Sequence, residues 1–234
     1  MTTALIGGTS LLESMRFRDA APRRMQTPHG SVTLLERNGL LFLQRHSLGS
    51  YIPPHLINHK ANMHALCQAG VKQILAIGSV GSLRLEIPPG SFLLPDDFLA
   101  THLNPTFFED ARGHRTPGFH RKWRARILDA WRKTDLPPPH DGGVYWQTLG
   151  PRFETPAEIR SHQPHAHVVG MTVATECILA GELEIPYAAI CVVDNLANGL
   201  TPETLTFEAF KEQVRANEQQ LLLVLETLLL TLSL

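Results

Sequence analysis

The amino-acid sequence predicts an α/β fold, a sandwich of helices around one sheet. Three observations predict it. Strand-like and helix-like segments alternate along the chain. Two apolar runs hand over to turns rich in small residues, Gly7-Gly8-Thr9-Ser10 and Gly78-Ser79-Val80-Gly81-Ser82. A third apolar run, residues 187–193, reads as a buried strand and ends in Asp194. A carboxylate at a strand's carboxyl end is where open α/β sheets keep their chemistry.

The elements follow in order. Residues 4–6 form a short strand ahead of the first glycine turn. Residues 32–36 and 40–44 pair as a hairpin around Asn38-Gly39. Residues 58–69 read as a helix stopped by Gly70. Residues 71–77 are a strand that enters the second glycine turn, and residues 90–99 are extended. Residues 101–118 are polar, hold Pro105, Gly113, His114 and Pro117, and lack a clear period, which predicts a long mobile loop. Residues 120–133 are helical, with Trp123, Ile127, Leu128 and Trp131 on one face. Pro137-Pro138-Pro139 is a surface connector, since strand-helix alternation resumes directly after it.

Thr155, Pro156 and Glu158 spell a helix start: a hydroxyl cap, a proline at the first helical position, and a glutamate three residues after the cap. Phe153 and Glu154 then lie on the loop just before it, where side chains meet ligands. Near the end, Phe207, Phe210, Val214, Leu221, Leu225 and Leu228 recur three or four apart with one gap at Asn217. This predicts a long amphipathic closing helix whose leucine-rich end is suited to cover a subunit interface. The 14 apolar residues from 221 to 234 are too few to span a bilayer.

The 234 residues suit one domain with a single core, 1–234, and no internal repeat is present. Charged residues make up 18% of the chain and the net charge is −1. No basic stripe runs along it, which argues against a nucleic-acid partner. The opening residues lack the pattern of a secretory signal. Cys67, Cys177 and Cys191 sit in apolar segments without metal spacing and read as buried, reduced thiols of a cytoplasmic protein.

Several clusters are suited to chemistry. The two glycine turns can bring backbone N–H groups close to an anion, and their hydroxyls add donors. Neither is a P-loop or a full dinucleotide fingerprint. Arg45-His46, after the strand 40–44, adds a guanidinium fork that suits phosphate oxygens. Three such turns in one α/β chain point to an oxyanion pocket. The tract His162-x-x-His165-x-His167 lacks a cysteine or carboxylate partner and reads as solvated histidines, so no metal is expected.

Taken in order, Gly7-Gly8-Thr9, Arg45-His46, Pro53-Pro54-His55-x-Ile57-Asn58-x-x-Ala61-Asn62, Gly78-Ser79-Val80-Gly81-Ser82-Leu83, Gly150-Pro151-Arg152-Phe153-Glu154-Thr155, Gly170-Met171-Thr172 and Asp194 resemble the trimeric purine nucleoside phosphorylase and 5'-methylthioadenosine phosphorylase family. The resemblance covers nearly the whole chain. It implies a three-layer α/β/α sandwich with a central mixed sheet, a homotrimer, and cleavage of a purine nucleoside by inorganic phosphate without metal or organic cofactor. It implies that Thr9, Arg45, His46, Ser79 and Thr172 hold phosphate. It places Gly78, Phe153, Glu154, Met171 and Phe207 around the nucleoside, with His114 reaching a neighbouring subunit's site. Asp194 would face the purine N7 edge as proton donor, which requires a carboxyl pKa raised by burial.

The implied substrate is 5'-methylthioadenosine, because an aspartate at the position of Asp194 goes with 6-aminopurines in the family and an asparagine with 6-oxopurines. An apolar Phe207 near the 5' position suits a methylthio group. Glu154 matches a glutamate of the 6-oxopurine enzymes, so inosine, guanosine or methylthioinosine is the alternative. Leu196 stands where some methylthioadenosine enzymes have a second aspartate. Ser10 and Ser47 replace glycines usual in the phosphate region. A nucleosidase using water, and a purine- or phosphate-sensing protein, are the remaining readings.

Overall fold

The computed structural model describes residues 2–11 and 19–232. The chain runs β1 (Thr3–Gly7), β2 (Ala21–Thr27), β3 (Gly30–Arg37), β4 (Leu40–Gln44), α1 (His59–Gln68), β5 (Gln73–Ser82), β6 (Phe92–Leu94), β7 (Asp97–Leu99), α2 (Arg121–Trp131), β8 (His140–Asp141), β9 (Val144–Gln147), α3 (Pro156–His162), β10 (Val168–Gly170), α4 (Val173–Glu182), β11 (Tyr187–Leu196) and α5 (Phe207–Thr231). One mixed sheet holds the strands in the order β2-β3-β4-β1-β5 and branches at β5. Along most of its length β5 pairs in parallel with β11, while its last residues pair with β10, which leads to β9 and β7.

The alternation of side chains along β5 and β11 builds two cores, one on each sheet face. Ala76, Val80, Ala189, Cys191 and Val193 join the core that also contains Met63 and Leu66 of α1 and Cys177 and Leu179 of α4. Leu75, Ile77, Ile190 and Val192 join the other, with Trp123 and Trp131 of α2 and Leu221, Leu225 and Leu228 of α5. Helices on both faces of a mostly parallel sheet are the sandwich expected from the alternating pattern.

Local signals explain most elements. Asn38 and Gly39 take φ of 52° and 81°, the left-handed pair that a tight hairpin needs between β3 and β4. Asn58 caps α1 by accepting from Ala61 N–H at 3.0 Å. Thr155 and Glu158 form a reciprocal capping box at α3. In α5 the apolar stripe is broken by Asn217, which is nonetheless buried.

Three expectations need correction, and one strand, β2, had not been expected. Gly78 to Ser82 is not a loop: it forms the second half of β5, because β11 and β10 supply partners for its backbone. The stretch 90–99 is two short strands, separated at Pro95, which has no N–H to donate. β2, antiparallel to β3, carries mostly exposed residues and shows too little apolar alternation to be read from sequence. Cys67 lies on the exposed side of α1, unlike the buried Cys177 and Cys191. Residues 101–118 are irregular apart from one 3₁₀ turn at Ala111–Gly113. The closing helix is observed through Thr231, and the last two residues of the leucine-rich run lie outside the described residues. No helix among the described residues is long and apolar enough to cross a membrane.

Leu225 is fully buried where α5 meets the sheet. Leu225→Ala should destabilise the fold by about 2–5 kcal/mol through lost burial and a residual cavity. Urea denaturation checks this, and an unchanged midpoint would show that α5 is not integral to the core.

Candidate active site

A cavity of about 270 Å³ opens where β5, β10 and β11 end, and the loop before α3 and the start of α5 close over it. One part of its lining is polar: Thr9, Arg45, His46, Ser79 and Thr172. Another is aromatic, with Phe153, Phe207 and Phe210 in a chain of ring contacts at centroid distances of 5.8 and 6.2 Å. Tyr51 lines it too and stacks on His46 at 5.1 Å.

Arg45 follows β4 and is completely buried. Its Nε and Nη2 donate to the two carboxylate oxygens of Glu176 at 2.6 and 2.9 Å, and Nη1 donates to the Ile77 carbonyl at 2.6 Å. Three of the five guanidinium N–H groups are thus used in fixing the side chain, and the other two have no hydrogen-bond partner among the described residues and can meet an anion. The approach is close: a Cβ on Gly8 would lie 2.4 Å from Arg45 Nη1, so the residue beside the guanidinium must be glycine. Burial works to raise the Glu176 carboxyl, but the Arg45 charge and hydrogen bonds overcome it and hold the group below its ordinary range. Tyr187 Oη also donates to Glu176 at 2.7 Å.

His46 is buried, and its Nδ1 lies 2.8 Å from the Ile52 carbonyl, which fixes the proton on that nitrogen. Burial lowers its pKa to about 4, so at neutral pH the ring is uncharged. The positive charge beside the cavity therefore comes from Arg45, already paired with Glu176. An anion here depends on oriented donors more than on net charge.

Glu154 is buried on the cavity wall, and Thr148 Oγ1 donates to its Oε1 at 2.6 Å. Burial raises its pKa, against the Thr148 hydrogen bond. Met171 lines the cavity beneath Gly150, whose φ is 63° and whose Cβ, if present, would lie 2.5 Å from the Met171 sulfur. Both the left-handed backbone and the contact call for glycine.

Three of the residues singled out from the sequence lie elsewhere. Gly78 is buried within β5 against Val173 and is not part of the wall. His114 is exposed on the loop 101–118, facing a separate groove with Glu182. Asp194 also misses the wall, and Asn195 takes its place there. The reason is a β-bulge: the register of β11 against β5 shifts between Val193 and Asn195, so Asp194 has no partner in β5 and turns into the interior. Asn195 lies over Gly81, where a Cβ would sit 3.0 Å from Asn195 Nδ2.

The model of the family described as "Phosphorylase superfamily" matches residues 2–230. The chain belongs to this superfamily. Its relatives are named as nucleoside phosphorylases, and it is an enzyme of that pentosyl-transferring class. It is 36% identical over 226 residues to a probable 6-oxopurine nucleoside phosphorylase of Archaeoglobus fulgidus, across 95% of this chain and 93% of that one. It is 39% identical over 233 residues to a probable S-methyl-5'-thioinosine phosphorylase of Methanothermobacter thermautotrophicus, across 95% and 81%. Among solved structures it resembles the methylthioadenosine phosphorylase from Schistosoma mansoni in complex with adenine, with a TM-score of 0.85 and 25% identity across 100% and 92% of the two chains. The mixed sheet and its helical layers match that fold.

Asn195, Glu176, Tyr51 and Phe210 were not singled out from the sequence as site residues. Asn195 and Glu176 each carry a polar signal inside an otherwise apolar segment, which a buried site commonly leaves. The histidine tract is taken up locally: His162 stacks on Trp146 at 3.8 Å, and His167 Nδ1 accepts from Val144 N–H at 3.0 Å.

Removing Glu176 leaves a guanidinium buried without its counter-charge. Glu176→Ala should cost about 3–5 kcal/mol of stability. A denaturation curve superimposable on that of the wild type would show that the pair is not holding the site.

Proposed function

We propose that this enzyme cleaves 6-oxopurine nucleosides with inorganic phosphate, and that 5'-methylthioinosine is the preferred one. The observation that carries the proposal is the pairing of Asn195 with Glu154 on the cavity wall, with Asp194 turned away. A 6-oxopurine presents an N1–H donor, an O6 acceptor and an N7 acceptor. An ionised Glu154 accepts from N1–H, and the Asn195 carboxamide donates to the O6–N7 edge, where negative charge gathers as the base leaves. A 6-aminopurine instead presents a lone pair at N1, which a carboxylate repels. This replaces the adenine preference expected from Asp194, and it agrees with the names of the archaeal relatives. The adenine complex of the structural neighbour supports the rival reading, methylthioadenosine.

Thr9, Arg45, His46, Ser79 and Thr172 are read as the phosphate end, with phosphate as co-substrate and no cofactor. An anion held there attacks the sugar carbon and stabilises the positive charge that builds on the ring. Met171 is read as lying along the ribose and Phe153 against the base. Phe207, with Phe210 beside it, supports a methylthio group at the 5' position, because an apolar wall leaves a 5'-hydroxyl without a partner. The reading carries with it a cytoplasmic homotrimer in which His114 serves an adjacent protomer. The exposed Leu223 and Leu230 of α5 are suited to a subunit contact.

Base release from methylthioinosine, inosine and methylthioadenosine, with and without phosphate, tests the proposal. Phosphate-dependent hypoxanthine release is expected, faster from methylthioinosine. Adenine release as the dominant activity refutes the base assignment, and release without phosphate makes the protein a nucleosidase. Asn195→Ala should lower kcat/KM for 6-oxopurine nucleosides by about two orders of magnitude. An unaffected variant removes Asn195 from the mechanism.

A further inference from the structure

A second cavity, of about 290 Å³, lies beside the first. The two share Thr9, Tyr51 and Phe207, and Lys211, Val214, Arg215 and Glu218 of α5 wall the second. Positions 207, 211, 214, 215 and 218 recur three or four apart, so they share one face of the helix. Phe207 is half exposed and stands between two spaces instead of sealing one. A pocket for a methyl group alone does not need the space beyond that ring.

Both signs of charge line the second space. Lys211 Nζ lies over the Phe207 ring, 5.1 Å from its centroid, which holds an ammonium at the junction of the two cavities. Arg215 follows one turn on, about 6 Å along the helix axis, and Glu218 stands about 10 Å on from Lys211. Neither Lys211 nor Glu218 forms an ion pair among the described residues. Between them the surface is the buried Val214 side chain. A ligand that fills this space gains from an apolar stem and from an end that carries a carboxylate and an ammonium together. An amino acid has that end. In a homocysteinyl thioether the α-carbon is the third carbon from the sulfur. A sulfur beside Phe207 therefore brings the carboxylate about one helical turn along, to Lys211.

We propose that the second cavity receives the tail of a 5'-thioether nucleoside and that this tail is an amino acid, with its carboxylate at Lys211 and its ammonium at Glu218. The proposal rests on the reading of the first cavity as the nucleoside site with the 5' end at Phe207. Arg215 adds positive charge on the same wall. The tail takes no part in the exchange of bonds. A phosphate oxygen bonds to C1', the C1'–N9 bond breaks, and its electron pair leaves with the base, which takes up a proton. The second cavity thus selects among nucleosides and leaves the reaction unchanged.

The test is phosphate-dependent base release from four inosine derivatives that differ only at the 5' sulfur: methyl, butyl, 3-carboxypropyl and homocysteinyl. The butyl tail has the length without charge, and the carboxypropyl tail has the carboxylate without the ammonium. All four should be cleaved. The homocysteinyl compound should show kcat/KM about tenfold above the butyl compound, with the carboxypropyl compound between them. Lys211→Met keeps an apolar side chain on the Phe207 ring and removes the charge. It should lower kcat/KM by about fivefold for the two carboxylate tails and leave the methyl and butyl compounds within about twofold. Glu218→Gln should slow only the homocysteinyl compound.

Cleavage of the methyl compound with none of the longer tails accepted overturns the proposal, because the cavities then do not communicate. Equal rates for the butyl and homocysteinyl compounds overturn it too, since the space is then apolar only. A carboxypropyl compound as good as the homocysteinyl one removes the ammonium and with it the amino acid. A Lys211→Met effect equal on all four compounds makes Lys211 structural. Wild type that cleaves none of the four in phosphate overturns the base or cavity reading instead. The same four tails on adenosine then separate the two: adenine release restores the comparison of tails, and its absence sinks the nucleoside reading itself.

Discussion

The buried pair of Arg45 and Glu176 is the constraint on which the site depends. A guanidinium with almost no access to water is tolerable only if a counter-charge and acceptors surround it. Glu176 of α4 supplies the charge and Ile77 of β5 supplies a carbonyl, so one side chain ties the end of β4 to the sheet centre and to the helix above it. Gly8 is the price of that contact at β1, since any side chain there would collide with the guanidinium. Three strands and a helix are thus held in register around one fork. The cavity end that contains Arg45, Thr9 and Thr172 inherits this rigidity, and rigid donors cost no reorganisation when charge appears in front of them.

The second constraint is the bulge in β11. One extra residue between Val193 and Asn195 sends Asp194 inward and Asn195 to the cavity, and it reverses which of two neighbouring side chains a ligand meets. Such an insertion leaves backbone and side-chain groups to satisfy, and Asn217 does so by donating to both the Val193 carbonyl and the Asp194 carboxylate. The polar gap in the apolar stripe of α5 is therefore a structural requirement of the site. Leucine at 217 would continue the stripe and leave Asp194 with no partner in α5.

Much of this was legible in the sequence. Caps, breakers and periodicity located the hairpin at Asn38-Gly39, α1, α3 and α5, because those signals are local. The order of the motifs pointed to the family, and most of the residues they named lie on one cavity. What escaped was set by long-range pairing. Gly78 to Ser82 has the composition of a turn and becomes strand only because β10 and β11 flank it. Asp194 and Asn195 are adjacent, and a two-residue period cannot say which faces the ligand once a bulge intervenes. Asn217 read as an interruption of a core helix, and its partners lie 23 and 24 residues away in β11.

The same argument explains why close structural likeness and relatedness by sequence point to different bases. The sheet, its two cores and the Arg45–Glu176 pair are properties of the whole fold, and a TM-score of 0.85 reports on them. On the function proposed above, selection of the base falls to a few atoms at the bulge and at Glu154, where a single-residue shift exchanges a carboxylate for a carboxamide. A carboxylate and a carboxamide differ little in shape but invert the donor pattern offered to the ring. Backbone similarity is blind to that inversion. The weight therefore falls on which side chain the strand presents to the cavity, and here it presents Asn195, with Asp194 left behind it as part of the supporting network.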